Sequence, residues 1–271
     1  MPLPMQPIYI FPPQADNPQV KRFGEAIAGE FGLAPQLGEL MHHRGVQTLD
    51  AAQDFLYPQL SMLPSPATMK GMGRATAVIL EAWKTRQSIF IHGDYDVDGI
   101  TATALLTAFL GLRGFPARTY LPNRLKEGYG LNPAGVARLA AGGVGELLTA
   151  GCGGSDFEAV AAARERGLVV VVSDHHLPGE TLPGAQAVCN PRLDGANACL
   201  DLAGVGVAFM LAVALNRLLP GEQLDMRRFL DLVALGTVAD VVPLTGQNRI
   251  LVKNGLLLIK EARRPGIAAL K

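Results

Sequence analysis

The chain has 271 residues, 49% of them hydrophobic and only 18% charged. It is too long for one small domain and rich enough in apolar side chains to bury a large core. With 24 basic and 24 acidic residues the formal net charge is zero, so no overall field marks a polyanionic partner, and only a local basic groove could serve one.

The opening residues, "MPLPMQPIYI", lack a basic start followed by a long apolar stretch, so no signal peptide is expected. Residues 1 to about 17 are Pro-rich and read as irregular. Short helical patterns follow, "KRFGEAIAGEF" and "TLDAAQDFL", broken by Pro and Gly; residues 1–84 read as a helical and irregular extension. His42 and His43 lie in this part and read as surface residues.

From Ser88 the pattern changes. "SIFIHGD" reads as a buried strand, and "GITATALLTAFLGLRG" as a helix closed by Gly114. "ARTYLP" is a strand, and "NPAGVARLAAGG" a helix with Asn132 as its N-cap. "GELLTAG" is a strand, "SDFEAVAAARERG" a helix capped by Ser155 and ended by Gly167, "LVVVVSD" a strand and "AQAVCNP" a further one. Strands alternating with helices predict an α/β fold: a mainly parallel sheet covered on both faces, preceded by the helical N-terminal region and followed by helices. Helical patterns occupy 203–219, 226–239 and 248–262. The longest uncharged apolar stretch, 202–215, is too short for a comfortable membrane span. Cys152, Cys189 and Cys199 match no zinc spacing and read as reduced residues of a cytosolic, cytoplasmic protein.

The polar residues fall on this frame in three clusters. His92, Asp94, Asp96 and Asp98 stand where the first strand of the sheet ends. Asp174, His175 and His176 follow the strand "LVVVV". Asp240 stands in the otherwise apolar "GTVADVVPL". Each has an ordinary reading alone: a turn at Asp98–Gly99, a cap at Asp94 or Asp96, a solvated loop at 174–176, a cap or ion pair at Asp240. Together they put several acids at one sheet edge, where ligands of such sheets bind. Crowded carboxylates repel, and divalent cations relieve the repulsion. Mixed carboxylate and imidazole donors suit manganese, zinc or iron, with magnesium where oxygen dominates. Two such ions roughly 3.5–4 Å apart would polarise a phosphate and supply a hydroxide nucleophile.

"GDYDVDG", "SDHH" and "GTVADVVPL" resemble three of the four signature motifs of the DHH phosphoesterase superfamily. The segments "YLPNRLKEGYGL", "NPR", "LAGVGVAF" and "RPGIAAL" resemble its branch of single-strand-specific DNA exonucleases, from about residue 35 onward. The resemblance implies a DHH domain over 85–246 that binds one or two Mn²⁺ or Mg²⁺ ions and hydrolyses single-stranded DNA from a 5′ end. It implies metal ligation by His92, Asp96, Asp98, His175 and Asp240. His176 then contacts the scissile phosphate, Asp174 supports the histidine pair, and Asp94 orients the ligands through hydrogen bonds. A role in DNA repair and recombination, with a helicase or a single-strand-binding protein as partner, goes with it. Residues 247–271 read as the start of a helix connecting to a DHHA1 domain absent from this chain, with Leu256, Leu257, Leu258 and Ile259 left partly uncovered.

Three residues suit the substrate. Asn123 and Arg124 follow a strand on the ligand side, and Arg124 could fork onto a terminal 5′-phosphate or, alternatively, make a surface salt bridge. Tyr129 could stack on a base or pack in the core. The "LAGVG" stretch offers either backbone amides to a phosphate or close helix packing.

One motif departs from the family. Its second motif carries a metal-bridging Asp in a segment like "LLTVDCG"; the matching stretch here is "LLTAGCGG" (147–154), with Gly151 at that position. Asp156, five residues on, is not expected to substitute. An impaired nuclease is the expected outcome. A non-catalytic module binding nucleic acid or protein, and a hydrolase of oligonucleotides or small phosphoesters, are the alternatives.

Overall fold

The computed structural model describes residues 17–115, 117–194 and 201–271. The Pro-rich start and Cys199 lie outside them. The chain divides into two compact units, Met1–Pro58 and Gln59–Lys271.

The first unit holds three helices, α1 (Pro18–Phe31), α2 (Pro35–His43) and α3 (Leu49–Leu56). Asn17 caps α1 by accepting from the Gln19 amide, and Thr48 caps α3 by accepting from Ala51. Ile27, Met41, Val46 and Ala52 form their common core. His43 is exposed, and His42 packs edge-on against Phe23 at 5.6 Å.

The second unit runs α4 (Met72–Lys84), β1 (Ile89–Gly93), α5 (Val97–Leu112), β2 (Arg118–Tyr120), α6 (Arg124–Glu127), α7 (Pro133–Ala141), β3 (Glu146–Ala150), α8 (Phe157–Glu165), β4 (Val169–Ser173), β5 (Ala187–Cys189), α9 (Gly204–Leu218), α10 (Leu230–Ala239), α11 (Gly246–Glu261) and α12 (Pro265–Leu270). The helix α4, read from the sequence as part of the N-terminal extension, thus packs with this unit.

Five strands pair in the order β2-β1-β3-β4-β5, all parallel. The alternation of the strands sorts the core into two layers. Ile89, Ile91, Leu148, Ala150 and Val171 face α4, α5 and α9, whose large cluster continues into α10 and α11. Phe90, Leu147, Val170 and Val172 face α7 and α8. Both faces are covered, so β1 and β3 are buried throughout, which explains why they read as unbroken apolar runs. The strand order reverses between β1 and β3. That pair is the switch point, where the chain leaves the two strands in opposite directions and opens a crevice at their carboxyl ends.

Two boundaries differ from the sequence reading. The helix after β1 starts at Val97 rather than Gly99, because Asp96 caps it, its Oδ1 accepting from Gly99 N at 2.7 Å. Asp98 therefore lies inside the first turn. The expected cap of α8, Ser155, is corrected to Asp156, whose side chain makes no capping bond and reaches elsewhere. Asn132 does cap α7, accepting from Gly135 at 2.7 Å, and Gly114 and Gly167 take up positive φ beyond their helices. In α11 Leu256 and Leu257 are exposed and Leu258 and Ile259 half-buried. Cys152 and Cys189 are buried thiols.

Candidate active site

Three distant stretches supply one cluster of donors at the crevice. Asp98 Oδ2 lies 3.5 Å from His175 Nε2, and Asp240 Oδ2 lies 3.6 Å from His175 Nδ1. Ligand atoms of Asp98, His175 and Asp240 all fall within 4.8 Å of one another. These separations are too long for good hydrogen bonds and of the size a cation between the groups would leave. Asp98 is fixed from behind: its Oδ1 accepts from the Val205 amide at 2.8 Å, at the N-terminus of α9. Asp240 ends α10.

The electrostatics of the cluster are those of charges taken out of water. Burial pushes the Asp98 carboxyl up to about 6, with Asp96 adding repulsion and the Val205 amide opposing. Burial also raises Asp240, against the pull of His175, and lowers His175, against the pull of Asp240. Desolvation outweighs the mutual attraction in both partners. Asp240 Oδ2 and His92 Nε2 are buried without a hydrogen-bond partner among the described residues. Orphaned acceptors beside self-repelling carboxyls are what a divalent ion would satisfy, so the residues fit one.

His92 and Asp96 are not among the donors that lie within 4.8 Å of one another. His92, at the end of β1, is buried beside the Tyr120 ring at 5.7 Å, with Nδ1 3.9 Å from Cys152 Sγ, and burial lowers its pKa to about 4. Burial therefore favours its neutral imidazole form. Asp96 is exposed and engaged in its cap. Asp94 is buried; its Oδ1 accepts from the Tyr95 amide at 2.7 Å, and burial raises its pKa.

Asp174 organises the histidine pair. Its carboxylate accepts from the amides of Gly154 (2.7 Å), His175 (2.7 Å) and His176 (3.2 Å), and contacts His176 Nδ1 at 2.8 Å. Burial would raise its pKa, but these bonds, the His176 ring foremost, outweigh it and hold it low. The same bond raises the pKa of the half-exposed His176, which favours a cationic ring at the mouth of the site.

Gly151 follows β3 with φ +82°, and a Cβ built there would lie 3.6 Å from Gly99 Cα and 3.7 Å from Asp98 Oδ2. It borders the donor cluster with room for a side chain. Asp156 is turned away, its Oδ2 accepting from the Leu131 amide at 2.7 Å.

Of the three substrate candidates, Tyr129 meets His176 and Arg124 lies over Tyr95, the ring beside Tyr129. Asn123 caps α6, its Oδ1 accepting from Leu125 at 3.1 Å and Lys126 at 3.3 Å. The exposed Arg124 holds its guanidinium 5.2 Å above the Tyr95 ring. Tyr129 is 46% exposed, so it is no core residue; its hydroxyl meets His176 Nδ1 at 3.1 Å, and its ring stands edge-on to Tyr95. In "LAGVG" the Val205 amide is spent on Asp98, and Gly204 lets α9 approach: a Cβ there would fall 2.4 Å from Asp98 Oδ2. Close packing, not an open phosphate cradle, is what those glycines serve.

Sequence reasoning missed Tyr95, Asn190 and Arg192. Asn190 Nδ2 donates to the His176 carbonyl at 2.9 Å and Arg192 Nε to the His175 carbonyl at 3.0 Å. The two buttress the histidine backbone. The "NPR" run was the only signal for the last two, and Tyr95 was overshadowed by its acidic neighbours.

The solved structures most like this chain include RecJ proteins. A crystal structure of exonuclease RecJ bound to manganese superposes with a TM-score of 0.70 at 37% identity, covering 78% of this chain and 52% of that one. RecJ of Thermus thermophilus in complex with Mn²⁺ gives 0.76 at 32% identity, over 92% and 35% of the two chains. By sequence the chain is 46% identical over 250 residues to the single-stranded-DNA-specific exonuclease RecJ of Dickeya dadantii and 41% identical to that of Escherichia coli, covering 88% of this chain and 43% of each of those. It spans less than half the length of those curated relatives. The model of the DHH family, N-terminal domain, matches residues 88–237, a span that runs from the strand carrying His92 through His175 and His176 to the helix that delivers Asp240. More than half of the sequence and most of the cleft fall under that one description, and the chain belongs to the DHH family.

Proposed function

We propose that this chain is the catalytic core of a metal-dependent 5′→3′ exonuclease for single-stranded DNA, weakened by Gly151. The observation that carries the reading is the Asp98–His175–Asp240 cluster at the switch point, with its orphaned Asp240 Oδ2 acceptor. Asp98, His175 and Asp240 would hold a first Mn²⁺ or Mg²⁺; His92 and Asp96 are the neighbours available to a second. When bound, the ion supplies Lewis-acid polarisation of the phosphate and a more acidic water. The chain's own residues do the rest. His176, held by Asp174 and favoured as a cation, neutralises charge on the scissile phosphate. Asp94 stiffens the turn between β1 and α5. Arg124 receives the 5′-phosphate, Tyr129 and Tyr95 offer ring surface to the first bases, and Asn123 holds the turn that aims Arg124. Residues 85–246, with α4 packed on them, form the phosphoesterase domain, the chain before α4 an extension, and 247–271 a connection toward a further domain. The protein acts in the cytoplasm, alongside a helicase or a single-strand-binding protein, in DNA repair and recombination.

Gly151 favours a second reading, a DHH fold that binds nucleic acid without cleaving it. Release of mononucleotides from 5′-phosphorylated single-stranded DNA, measured with and without Mn²⁺, separates the two. Metal-dependent release from the 5′ end that His175→Ala abolishes supports the nuclease. Binding of the strand with no release at any Mn²⁺ concentration would leave only the second.

A further inference from the structure

The segment between β2 and α7 carries Arg124 and Tyr129, yet it has only one short helix of its own. Two carboxylates tie it down. At its start, Glu127 accepts from the Tyr120 hydroxyl at 2.5 Å and the Asn123 amide at 2.9 Å, and pairs with Arg138 at 3.4 Å. At its end, Asp156 Oδ2 accepts from the Leu131 amide at 2.7 Å. Gly130 lies so close to that carboxylate, with φ +77°, that a Cβ there would come 2.7 Å from Asp156 Oδ2. Asp156 belongs to the turn after β3, the same turn that holds Gly151. It makes no capping bond to its own helix, so its side chain is committed to the neighbouring segment.

We propose that Asp156 is a positioning residue: by gripping the Leu131 amide it keeps Tyr129 seated against His176, and so couples the turn after β3 to the substrate arm. The segment is anchored at both ends, and Tyr129 stands two residues before the Asp156 grip. Its hydroxyl meets His176 at 3.1 Å and its ring meets Tyr95 at 6.4 Å. Without the grip, Gly128 and Gly130, both at positive φ, leave the chain between the Glu127 anchor and α7 free to swing. The role in holding DNA rests on the exonuclease reading; the grip itself does not.

The test compares Asp156→Ala with Asp156→Asn, whose Oδ1 still accepts from the Leu131 amide. Amide hydrogen exchange of residues 128–132 should quicken about tenfold in the alanine variant and stay near the parent rate in the asparagine variant, with β1, β3 and β4 unchanged in both. Unchanged exchange in Asp156→Ala, or equal loosening in both variants, overturns the proposal. Affinity for 5′-phosphorylated single-stranded DNA, measured with Ca²⁺ to prevent turnover, should fall about tenfold in Asp156→Ala and recover in Asp156→Asn, with Mn²⁺ affinity the same throughout. Asp156→Ala should cost little more in a Tyr129→Ala background, because both act through one ring. Faster exchange with undiminished DNA affinity also overturns the positioning role. A parent chain that binds no single-stranded DNA sinks the exonuclease reading instead, and the exchange experiment still decides the grip.

Discussion

At the scale of single residues, position 151 is where the proposed metal site is tested most directly. The backbone there is left-handed, which an Asp tolerates at a cost of about 1 kcal/mol, and its Cβ would meet only ordinary contacts beside Asp98. Gly151→Asp should therefore fold, be slightly less stable without metal because a further carboxylate joins a self-repelling group, and bind Mn²⁺ roughly tenfold more tightly. Calorimetric titration of both forms checks this; equal affinity and equal stoichiometry would show that the position holds no ligand. Arg124 is tested in the same background. Its guanidinium, resting on Tyr95, has the fork to prefer a dianionic 5′-phosphate. Arg124→Ala should weaken binding of 5′-phosphorylated strands by about 1.5–3 kcal/mol and of 5′-hydroxyl strands by much less. Equal losses would make it a general backbone contact, and Mn²⁺ affinity should not move.

At the scale of elements, α9 sets the shape of the site. Its first residue, Gly204, is where helix, Asp98, Gly151 and His175 converge. Gly204→Ala suits the helix but forces a methyl group to 2.4 Å from Asp98 Oδ2. The helix end must back away and the Val205–Asp98 bond stretch. A loss of about 1–3 kcal/mol in denaturant unfolding is expected, with a larger loss of Mn²⁺ affinity than Gly206→Ala causes. The strands and their flanking helices were legible in the sequence because apolar runs, helix caps and glycine stops are local signals. Asn132 and Gly114 were legible for the same reason. The cap of α8 was not, since Asp156 serves a segment 25 residues away and no local pattern records that. Nor was the division of labour within "GDYDVDG", where one acid caps a helix, one stiffens a turn and one faces the cluster. The spacing shows three carboxylates; only the fold shows which of them has spent its oxygens on backbone amides.

At the scale of the whole molecule, the edge of the sheet opposite the site carries a buried acid of its own. Glu146 opens β3, is 1% exposed, has Oε1 without a hydrogen-bond partner among the described residues, and burial raises its pKa to about 8. Its folded pKa lies above its unfolded value, so its neutral form contributes stability that is complete below about pH 4.5 and fades as the pH rises through about 8. Glu146→Gln, which keeps the shape and cannot ionise, should flatten that decline and raise stability near pH 8 by on the order of a few kcal/mol. Thermal unfolding of both forms across pH 5–9 measures it; parallel curves would mean that Glu146 finds a partner. The donor cluster has its own consequence for the whole chain. Asp98 and the amide that holds it are 107 residues apart, and His175 and Asp240 arrive from two further stretches. Such contacts close long loops, which makes them entropically expensive and late to form. The pocket exists only once almost all of the second unit is in place, so a nascent or partly unfolded chain lacks the Asp98–His175–Asp240 arrangement that the proposed ion needs.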